Sequence, residues 1–115
     1  MVRAESYRPS ERLRRRGEFL AVQRRGRKIV TPHFLVFLLE VPREGTRIGV
    51  TASKKVGGAV QRNRVKRLVR EAYRRNKSLF PGGKDIVLVA KRSAVELDFE
   101  GLVRELRQAF KRWAS

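Results

Sequence analysis

The spacing of apolar residues along the chain predicts three helices and at least three strands. The first helix runs from Glu18 to Arg25 and turns Phe19, Leu20 and Val22 toward one side. Gly26 follows it, at the place where a residue in the left-handed conformation commonly ends a helix. The sequence therefore predicts a short helix near the beginning of the chain.

Extended segments follow this helix. Arg27 to Val30 permits a brief strand, and His33 to Val41 is apolar at almost every position. A run of that kind indicates a strand covered on both faces. A turn at residues 42–45 leads into another strand, Arg47 to Ser53, and Asp85 to Ala90 reads as a further buried strand.

Two longer helices carry apolar residues at spacings of three and four. The first spans Ala59 to Asn76, with the stripe Val65, Leu68, Val69, Ala72 and Tyr73. The second begins at Asp98, a favourable capping residue, with the stripe Phe99, Leu102, Val103, Leu106, Phe110 and Trp113. The order α-β-β-β-α-β-α, counting the brief strand, predicts an α+β two-layer sandwich. The last strand is expected to lie parallel to the strand before the long helix, and the general rule would make that crossover right-handed.

Composition adds a statement about partners. The chain has 115 residues, which fits one domain over residues 1–115, with residues 1–16 as a flexible basic arm. Its 29 Lys and Arg residues, 21 of them Arg, face 11 Asp and Glu residues and give a net charge of +18. Such an excess favours a strongly anionic partner, and Arg binds phosphate with two parallel hydrogen bonds. Nucleic acid is the partner that this charge indicates.

Several kinds of active site are excluded by what the sequence lacks. Without Cys and with the single His33, it contains no Ser-His, Cys-His or zinc site, and His33 is expected to be a packed or edge histidine. Acidic residues near the last helix are explained by their favourable position in a first helical turn; they are Glu96, Asp98 and Glu100. No apolar run is long enough to span a membrane, so a soluble, cytoplasmic protein without a membrane partner is expected.

The start of the long helix concentrates positive charge where the helix dipole is already positive. Each cation there costs about 0.3–1 kcal/mol, and Gly57, Gly58 and Ala59 offer no capping side chain. The surrounding cations are Lys54, Lys55, Arg62 and Arg64. Farther along, a ridge opposite the apolar stripe comprises Asn63, Arg67, Arg70 and Arg74, flanked by Arg62, Lys66 and Arg64. A solvated charged face would explain the ridge but not the crowded helix start, whereas a bound phosphate explains both.

These residues carry a resemblance to a known family. The run Arg62-Asn63-Arg64-x-Lys66-Arg67-x-x-Arg70-Glu71 is preceded by VTASKKVG at residues 50–57 and followed by IVLVAKR at residues 86–92. With Glu18-Phe19 and Gly26, this pattern resembles the protein subunit of bacterial ribonuclease P over residues 10–113. In that family a catalytic RNA removes the 5′ leader of precursor tRNA with the help of metal ions. The resemblance implies a ribosomal-protein-S5-domain-2-like fold with a left-handed crossover.

The resemblance also implies roles for individual residues. Contacts to the catalytic RNA are expected from Arg62, Asn63, Arg64, Lys66, Arg67, Arg70 and Arg74. Contacts to the precursor tRNA leader are expected from Phe19, Phe37, Lys54, Lys55 and Lys91. By its own chemistry, Asn63 could contact a sugar hydroxyl or a base edge of RNA, or share a Mg²⁺ ion with RNA phosphates. The protein is expected to supply no catalytic residue and to need no further protein partner.

Composition alone leaves two other functions open. A structural RNA-binding protein of the ribosomal type would have the same charge, and an independent nuclease would cleave RNA without a catalytic RNA. The aromatic residues also have an alternative role as core residues, and Gln23 stands where the family often has an aromatic residue. Exposure of Phe37 in a cleft, rather than burial, is the expectation that follows from the resemblance.

Overall fold

The computed structural model describes residues 7–114. Its helices are α1 (Arg16–Arg25), α2 (Ala59–Arg75) and α3 (Phe99–Ala114), and its strands are β1 (Arg27–Val30), β2 (Phe34–Glu40), β3 (Arg47–Thr51) and β4 (Lys84–Ala90). Short 3₁₀ turns lie at Pro9–Glu11, Lys77–Leu79 and Arg92–Glu96. Over residues 7–114, none of the helices has the length and apolar character needed to cross a membrane.

The four strands form one mixed sheet in the order β1-β2-β4-β3. Strand β2 is antiparallel to β1 and β4, whereas β3 is parallel to β4. Helix α2 joins the two parallel strands, so the predicted crossover is confirmed, and its handedness stays a prediction. The brief strand β1 is confirmed as well, and it lies at one edge of the sheet.

The two faces of the sheet bury different sets of residues, because side chains alternate along each strand. One face carries Phe34, Val36 and Leu88 into the main core beneath α2 and α3. The other face carries Val87 and the half-buried Phe37, which pack with Val22 of α1. The α+β architecture is therefore confirmed, with α2 and α3 forming the helical layer and α1 covering part of the opposite face.

Helix α1 ends differently from the prediction. Gly26 has φ −82° and ψ 164°, so it is extended rather than left-handed. Glycine is required there for space, because a Cβ atom would lie 2.6 Å from the Val22 carbonyl oxygen and 2.8 Å from that of Leu38. The glycine thus lets the end of α1 approach β2 closely.

The N-terminal segment departs from the expected flexible arm. Residues 1–6 lie outside the described part of the chain, but the rest of the segment packs against the edge of β3. The backbone N–H of Leu13 donates to the Ile48 carbonyl (3.0 Å), and the Tyr7 hydroxyl donates to the same oxygen (2.7 Å). Leu13 is buried, and Glu11 accepts hydrogen bonds from Tyr73. The interpretation of residues 7–16 as a loose arm is therefore wrong, because Tyr7 and Leu13 attach this segment to β3.

Candidate nucleic-acid interface

The start of α2 has the predicted unfavourable electrostatics. Gly58 occupies the N-cap and makes no side-chain capping hydrogen bond, and the first turn contains no acidic residue. The free backbone N–H groups of this turn therefore point toward solvent, next to the half-buried guanidinium of Arg62. The Nε atom of Arg62 is buried and has no hydrogen-bond partner within the described chain. An anion at this helix end would satisfy the free backbone donors, whereas the buried Nε atom of Arg62 is closed to it.

The exposed side of α2 carries the predicted ridge. Asn63, Arg67 and Arg70 are exposed, while Val65 and Val69 are buried on the opposite side. The ridge is thus positioned by the apolar stripe that fixes α2 to the sheet. Its exposed guanidinium groups can reach successive phosphates of a nucleic acid.

Two predicted members of the ridge are held by the protein itself. Arg64 donates to the carbonyl oxygens of Val95 (3.0 Å) and Leu97 (3.2 Å), which anchors it beside the loop before α3. Arg74 donates to both carboxylate oxygens of Glu71, at 2.6 and 3.0 Å, and these hydrogen bonds lower the pKa of Glu71. Arg74 therefore brings a neutralising partner with it and adds less positive charge than Arg67.

A cleft lies between the ridge and the N-terminal segment. It has a volume of about 490 Å³, and Lys66 and Arg70 of α2 form one wall. The opposite wall includes Tyr7, Arg12 and Arg14, and Phe19 of α1 closes one end. Four cations and two aromatic rings thus surround one concave surface, which suits a nucleotide with an unstacked base.

A second cleft lies on the other side of Phe19, over the sheet. Its lining includes Phe19, Leu20 and Gln23 of α1, with Thr51 of β3. Phe19 lies over Gly49 of β3. Val87 of β4 pairs with Gly49 on one side and with Phe37 of β2 on the other. Phe37 is therefore about 10 Å from Gly49, two strands away on the same face. Both predicted aromatic residues are half-buried: they contact the α1 core and also border open space.

Of the residues predicted to contact the leader, only Phe19 lines this cleft; Phe37 and the three lysines do not. Lys54 and Lys55 are exposed in the turn after β3, at the end of the sheet where Thr51 lies. Lys91 follows β4 at the same end, but its Nζ atom donates to the Thr31 carbonyl (2.7 Å). Lys91 therefore fastens the end of β1 and presents less free charge than sequence reasoning assigned to it.

An ion-pair network fixes the opposite end of this face. Asp85 of β4 is buried, and Arg47 of β3 donates to both of its oxygens (3.0 and 2.8 Å), while Arg43 donates to one. Burial alone would raise the pKa of Asp85, but these hydrogen bonds outweigh it and hold the pKa below its usual value. Arg47 also donates to Glu18 (2.9 Å), so the network ties α1 to the sheet beneath it.

Glu18 also explains how α1 begins. Its Oε1 atom accepts the backbone N–H groups of Arg14 (3.1 Å) and Arg15 (3.2 Å). These bonds, more than the pairing with Arg47, lower the pKa of Glu18. The carboxylate thus caps the helix that carries Phe19.

Metal ligands are sparse in the protein. Among residues 7–114, no group of three or more His, Asp or Glu side chains could hold a metal ion. Asn63 is exposed, and its amide oxygen is free to contact a hydrated cation. A Mg²⁺ ion prefers several oxygen ligands and retains waters, so Asn63 fits as one contributor beside phosphate oxygens of a partner.

Sequence reasoning missed the contribution of the N-terminal segment. Tyr7 and Arg12 line the cleft beside α2, and Arg14 and Arg16 line the cleft over the sheet. The available signal was the pair of apolar residues, Tyr7 and Leu13, within a basic stretch. Both residues hydrogen-bond to Ile48, which lies more than thirty residues away along the chain, so their direction was not readable from local pattern.

The chain matches the family model described as Ribonuclease P over residues 7–114. A ribonuclease P protein component from Geobacter sp. (strain M21) is 50% identical over 109 residues, covering 95% of this chain and 93% of that protein. A ribonuclease P protein component from Bacillus cereus (strain B4264) is 37% identical over 102 residues, covering 88% and 89%.

Solved structures agree with these sequence matches. The RNase P protein from Thermotoga maritima superposes with a TM-score of 0.80 at 35% identity, covering 89% of this chain and 96% of that one. The RNase P protein from Staphylococcus aureus superposes with a TM-score of 0.79 at 27% identity, covering 90% and 94%. Both likenesses extend over nearly the whole fold.

Proposed function

The chain belongs to the ribonuclease P protein family and is a protein component of that endoribonuclease, and from this premise we propose how it acts. It binds a catalytic RNA through α2 and the 5′ leader of precursor tRNA through the cleft over the sheet. Cleavage of the leader is carried out by the RNA, and the protein supplies binding and orientation. This division of labour fits the strong positive charge of the chain, which suits it to bind RNA.

The observation that carries this proposal is the start of α2. Cations are collected at an uncapped helix N-terminus, where they destabilise the free protein, and the Nε atom of Arg62 is buried without a partner. A phosphate group of the RNA would accept hydrogen bonds from the backbone N–H groups and would be attracted by the exposed cations Lys54 and Lys55 before the helix. The cost in the free protein is then offset in the complex.

The leader is proposed to enter the cleft over the sheet, which α1 borders. A single strand requires aromatic surfaces for its bases and cations for its phosphates. Phe19 and Phe37 offer the rings, while Lys54 and Lys55 lie exposed at the end of the sheet. Arg14 and Arg16 add cations at the near side of the cleft. Mature tRNA lacks the leader, so these contacts favour the precursor over the product.

The Mg²⁺ ions that the holoenzyme would use are proposed to be held mainly by RNA. When bound, such an ion stabilises developing negative charge on phosphate oxygens. Asn63 would contribute its amide oxygen, and the neighbouring guanidinium groups would keep the RNA phosphates close to it. The protein thereby lowers the concentration of Mg²⁺ that the assembly requires.

The test is cleavage of precursor tRNA by a ribonuclease P catalytic RNA at limiting Mg²⁺, with and without this protein. Strong stimulation by the protein is expected, together with release of an intact 5′ leader. Lack of stimulation at every Mg²⁺ concentration would contradict the proposal and favour a structural RNA-binding role. Cleavage by the protein in the absence of the catalytic RNA would instead indicate an independent nuclease.

A further inference from the structure

His33, the single histidine, borders a cleft that the proposed function does not use. The cleft has a volume of about 260 Å³ and lies between the start of β2 and the first turns of α3. Its lining includes Arg104, Gln108 and Arg112 of α3, and Leu97 forms part of its rim. We refer to it below as the His33 cleft.

A buried carboxylate fixes the histidine in place. The side chain of Glu105 is 7% exposed, and its Oε1 atom lies 2.6 Å from Nδ1 of His33. Its Oε2 atom accepts the Thr31 hydroxyl (2.6 Å) and the His33 backbone N–H (2.9 Å). Both carboxylate oxygens are therefore hydrogen-bonded within the protein, although Glu105 is itself one of the residues that line the cleft.

This arrangement determines what the imidazole offers to the outside. A proton on Nδ1 points at the carboxylate, so Nε2 is at the open edge of the ring. Within residues 7–114, Nε2 has no hydrogen-bond partner, and it is not among the buried unpartnered atoms. The side chain of His33 is 27% exposed. Nε2 is accordingly free to contact a ligand, and it becomes a donor when the ring is protonated.

The groups around Nε2 are those that bind an anion. Arg104 and Gln108 are exposed, and one guanidinium nitrogen of Arg112 donates to the Val30 carbonyl (2.9 Å), which holds that side chain against the cleft. Acidic residues are present nearby at the start of α3, but none of them lines the cleft. One of them, Asp98, accepts the backbone N–H of Gly101. The cleft therefore combines these donors with one carboxylate, that of Glu105, whose oxygens are already hydrogen-bonded.

The His33 cleft adjoins the start of α2. Arg64 donates to the carbonyl oxygens of Val95 and Leu97, and Leu97 is also a rim residue of the cleft. The short segment of residues 95–97 is thus a shared wall between the two basic surfaces. A nucleic-acid backbone that docks at the start of α2 would pass the exposed carboxylates of Glu96 and Asp98 at this wall before it reaches the His33 cleft.

We propose that the His33 cleft binds a phosphate group of the same catalytic RNA that docks on α2, so the RNA interface extends from α2 to α3. This inference rests on the proposed function. His33 and Arg104 contact the phosphate directly, and Glu105 is a positioning residue that orients the imidazole. A phosphate contact of this kind strengthens binding about fivefold at about 0.15 M salt, through release of counterions.

The decisive variant is His33→Asn. An asparagine side chain can keep the donor that faces Glu105 while it removes Nε2, so the connection to α3 is retained. Equilibrium binding of the catalytic RNA to the full chain is measured across a salt series. His33→Asn is expected to bind about fivefold more weakly, and the slope of log affinity against log salt is expected to fall by about 0.7–0.9. Arg107→Ala, an exposed cation of α3 that does not line the cleft, is the matched control.

The protonation of His33 supplies a second measurement. The charged groups that face it are Glu105, Arg104 and Arg112, with Lys91 bound nearby to the Thr31 carbonyl. The affinity lost in His33→Asn depends on whether Nε2 carries a proton, because only a protonated Nε2 donates a hydrogen bond to the phosphate. In Glu105→Gln, the amide can donate to Nδ1, which leaves the proton of a neutral ring on Nε2. That variant is expected to retain the contact at about pH 8.

Three outcomes would overturn the inference. The affinity and salt slope of His33→Asn could equal those of the wild-type protein, or Arg107→Ala could lose as much affinity as His33→Asn. The loss could also be confined to precursor tRNA, with binding of the catalytic RNA unchanged. Failure of the proposed function is distinguishable, because the wild-type protein itself would then neither bind nor stimulate the catalytic RNA.

Discussion

The phenyl ring of Phe19 lies directly over Gly49, on the face of the sheet that α1 covers. A Cβ atom at Gly49 would come within 2.5 Å of the ring and within 3.1 Å of the Leu13 side chain. Because Gly49 has no side chain, the ring of Phe19 can lie against β3, where it lines both clefts. The position of Phe19 can therefore be tested by substituting Gly49, which is not among the proposed RNA contacts.

Gly49→Ala is expected to destabilise the fold by about 1–3 kcal/mol, because the ring of Phe19 must move out of a packed position. Displacement of the ring is also expected to weaken binding of precursor tRNA relative to mature tRNA. Denaturant unfolding and competition binding measure the two effects. Gly45→Ala is the control, since a Cβ atom there meets nothing within 4 Å. Equal behaviour of the two variants would contradict the packing described.

Arg67→Ala is expected to weaken binding of the catalytic RNA by about fivefold and to reduce its salt slope by about 0.7–0.9. Arg67 is exposed on the ridge of α2, so the free energy of unfolding should change by less than about 0.5 kcal/mol. Arg74→Ala should have a smaller effect on binding, because Arg74 is already paired with Glu71. A larger loss for Arg74→Ala than for Arg67→Ala would refute this ranking.

Phe37→Ala is expected to lower the preference for precursor over mature tRNA by about 1–3 kcal/mol, the usual value of a base stacked on an aromatic ring. Binding of the catalytic RNA should be retained. The neighbouring Val36 faces the main core, so Val36→Ala should lower stability and leave the preference intact. If both variants keep the precursor preference, Phe37 acts only as a packing residue.

The stability of the protein is expected to fall in acid because of Asp85 and Glu18. Their pKa values are lowered in the folded state, so the unfolded chain binds more protons. Their contribution is present above the ordinary carboxyl pKa values of about 4 and is lost as pH falls through the lower folded values. Urea unfolding between about pH 7 and pH 2 measures this loss. In Asp85→Asn, the free energy of unfolding should fall less between about pH 7 and pH 2 than it does in the wild-type protein.

Removing the partner of Asp85 tests the same network at neutral pH. Arg47→Ala leaves the buried carboxylate of Asp85 with fewer donors. We expect the free energy of unfolding to fall by about 2–3 kcal/mol. This is less than for a fully buried pair, because the Arg47 side chain is 25% exposed. Arg24→Ala, an exposed cation at the end of α1, is the control. A loss below about 0.5 kcal/mol would show that Arg43 compensates alone.

Much of the fold was readable because it depends on local periodicity. The stripe of Val65 and Val69 located α2 and its exposed ridge, and Asp98 marked the start of α3 through its capping bond to Gly101. The resemblance added an expectation that periodicity cannot give, namely which exposed cations contact RNA. These parts of the prediction needed only neighbours within one or two helical turns.

The remainder depended on contacts between distant residues. Arg64 looked like a free member of the ridge, yet the carbonyl oxygens that hold it come from a loop about thirty residues later. Lys91 donates to the Thr31 carbonyl and does not line the expected cleft. Gly26 is required because a side chain there would collide with carbonyl oxygens of α1 and β2. In each case the deciding partner was a backbone atom, which leaves no mark in the side-chain pattern.

The docking of the N-terminal segment bears on the order in which the chain assembles. Glu11 accepts hydrogen bonds from Tyr73 and Lys77, partners that are 62 and 66 residues away. Synthesis proceeds from the N-terminus, so the ribosome has made this segment long before those partners emerge. The segment can pair with Ile48 as soon as β3 has been made, but its bonds to α2 and the following turn form later, so a nascent chain stalled before residue 73 would hold the segment by β3 alone.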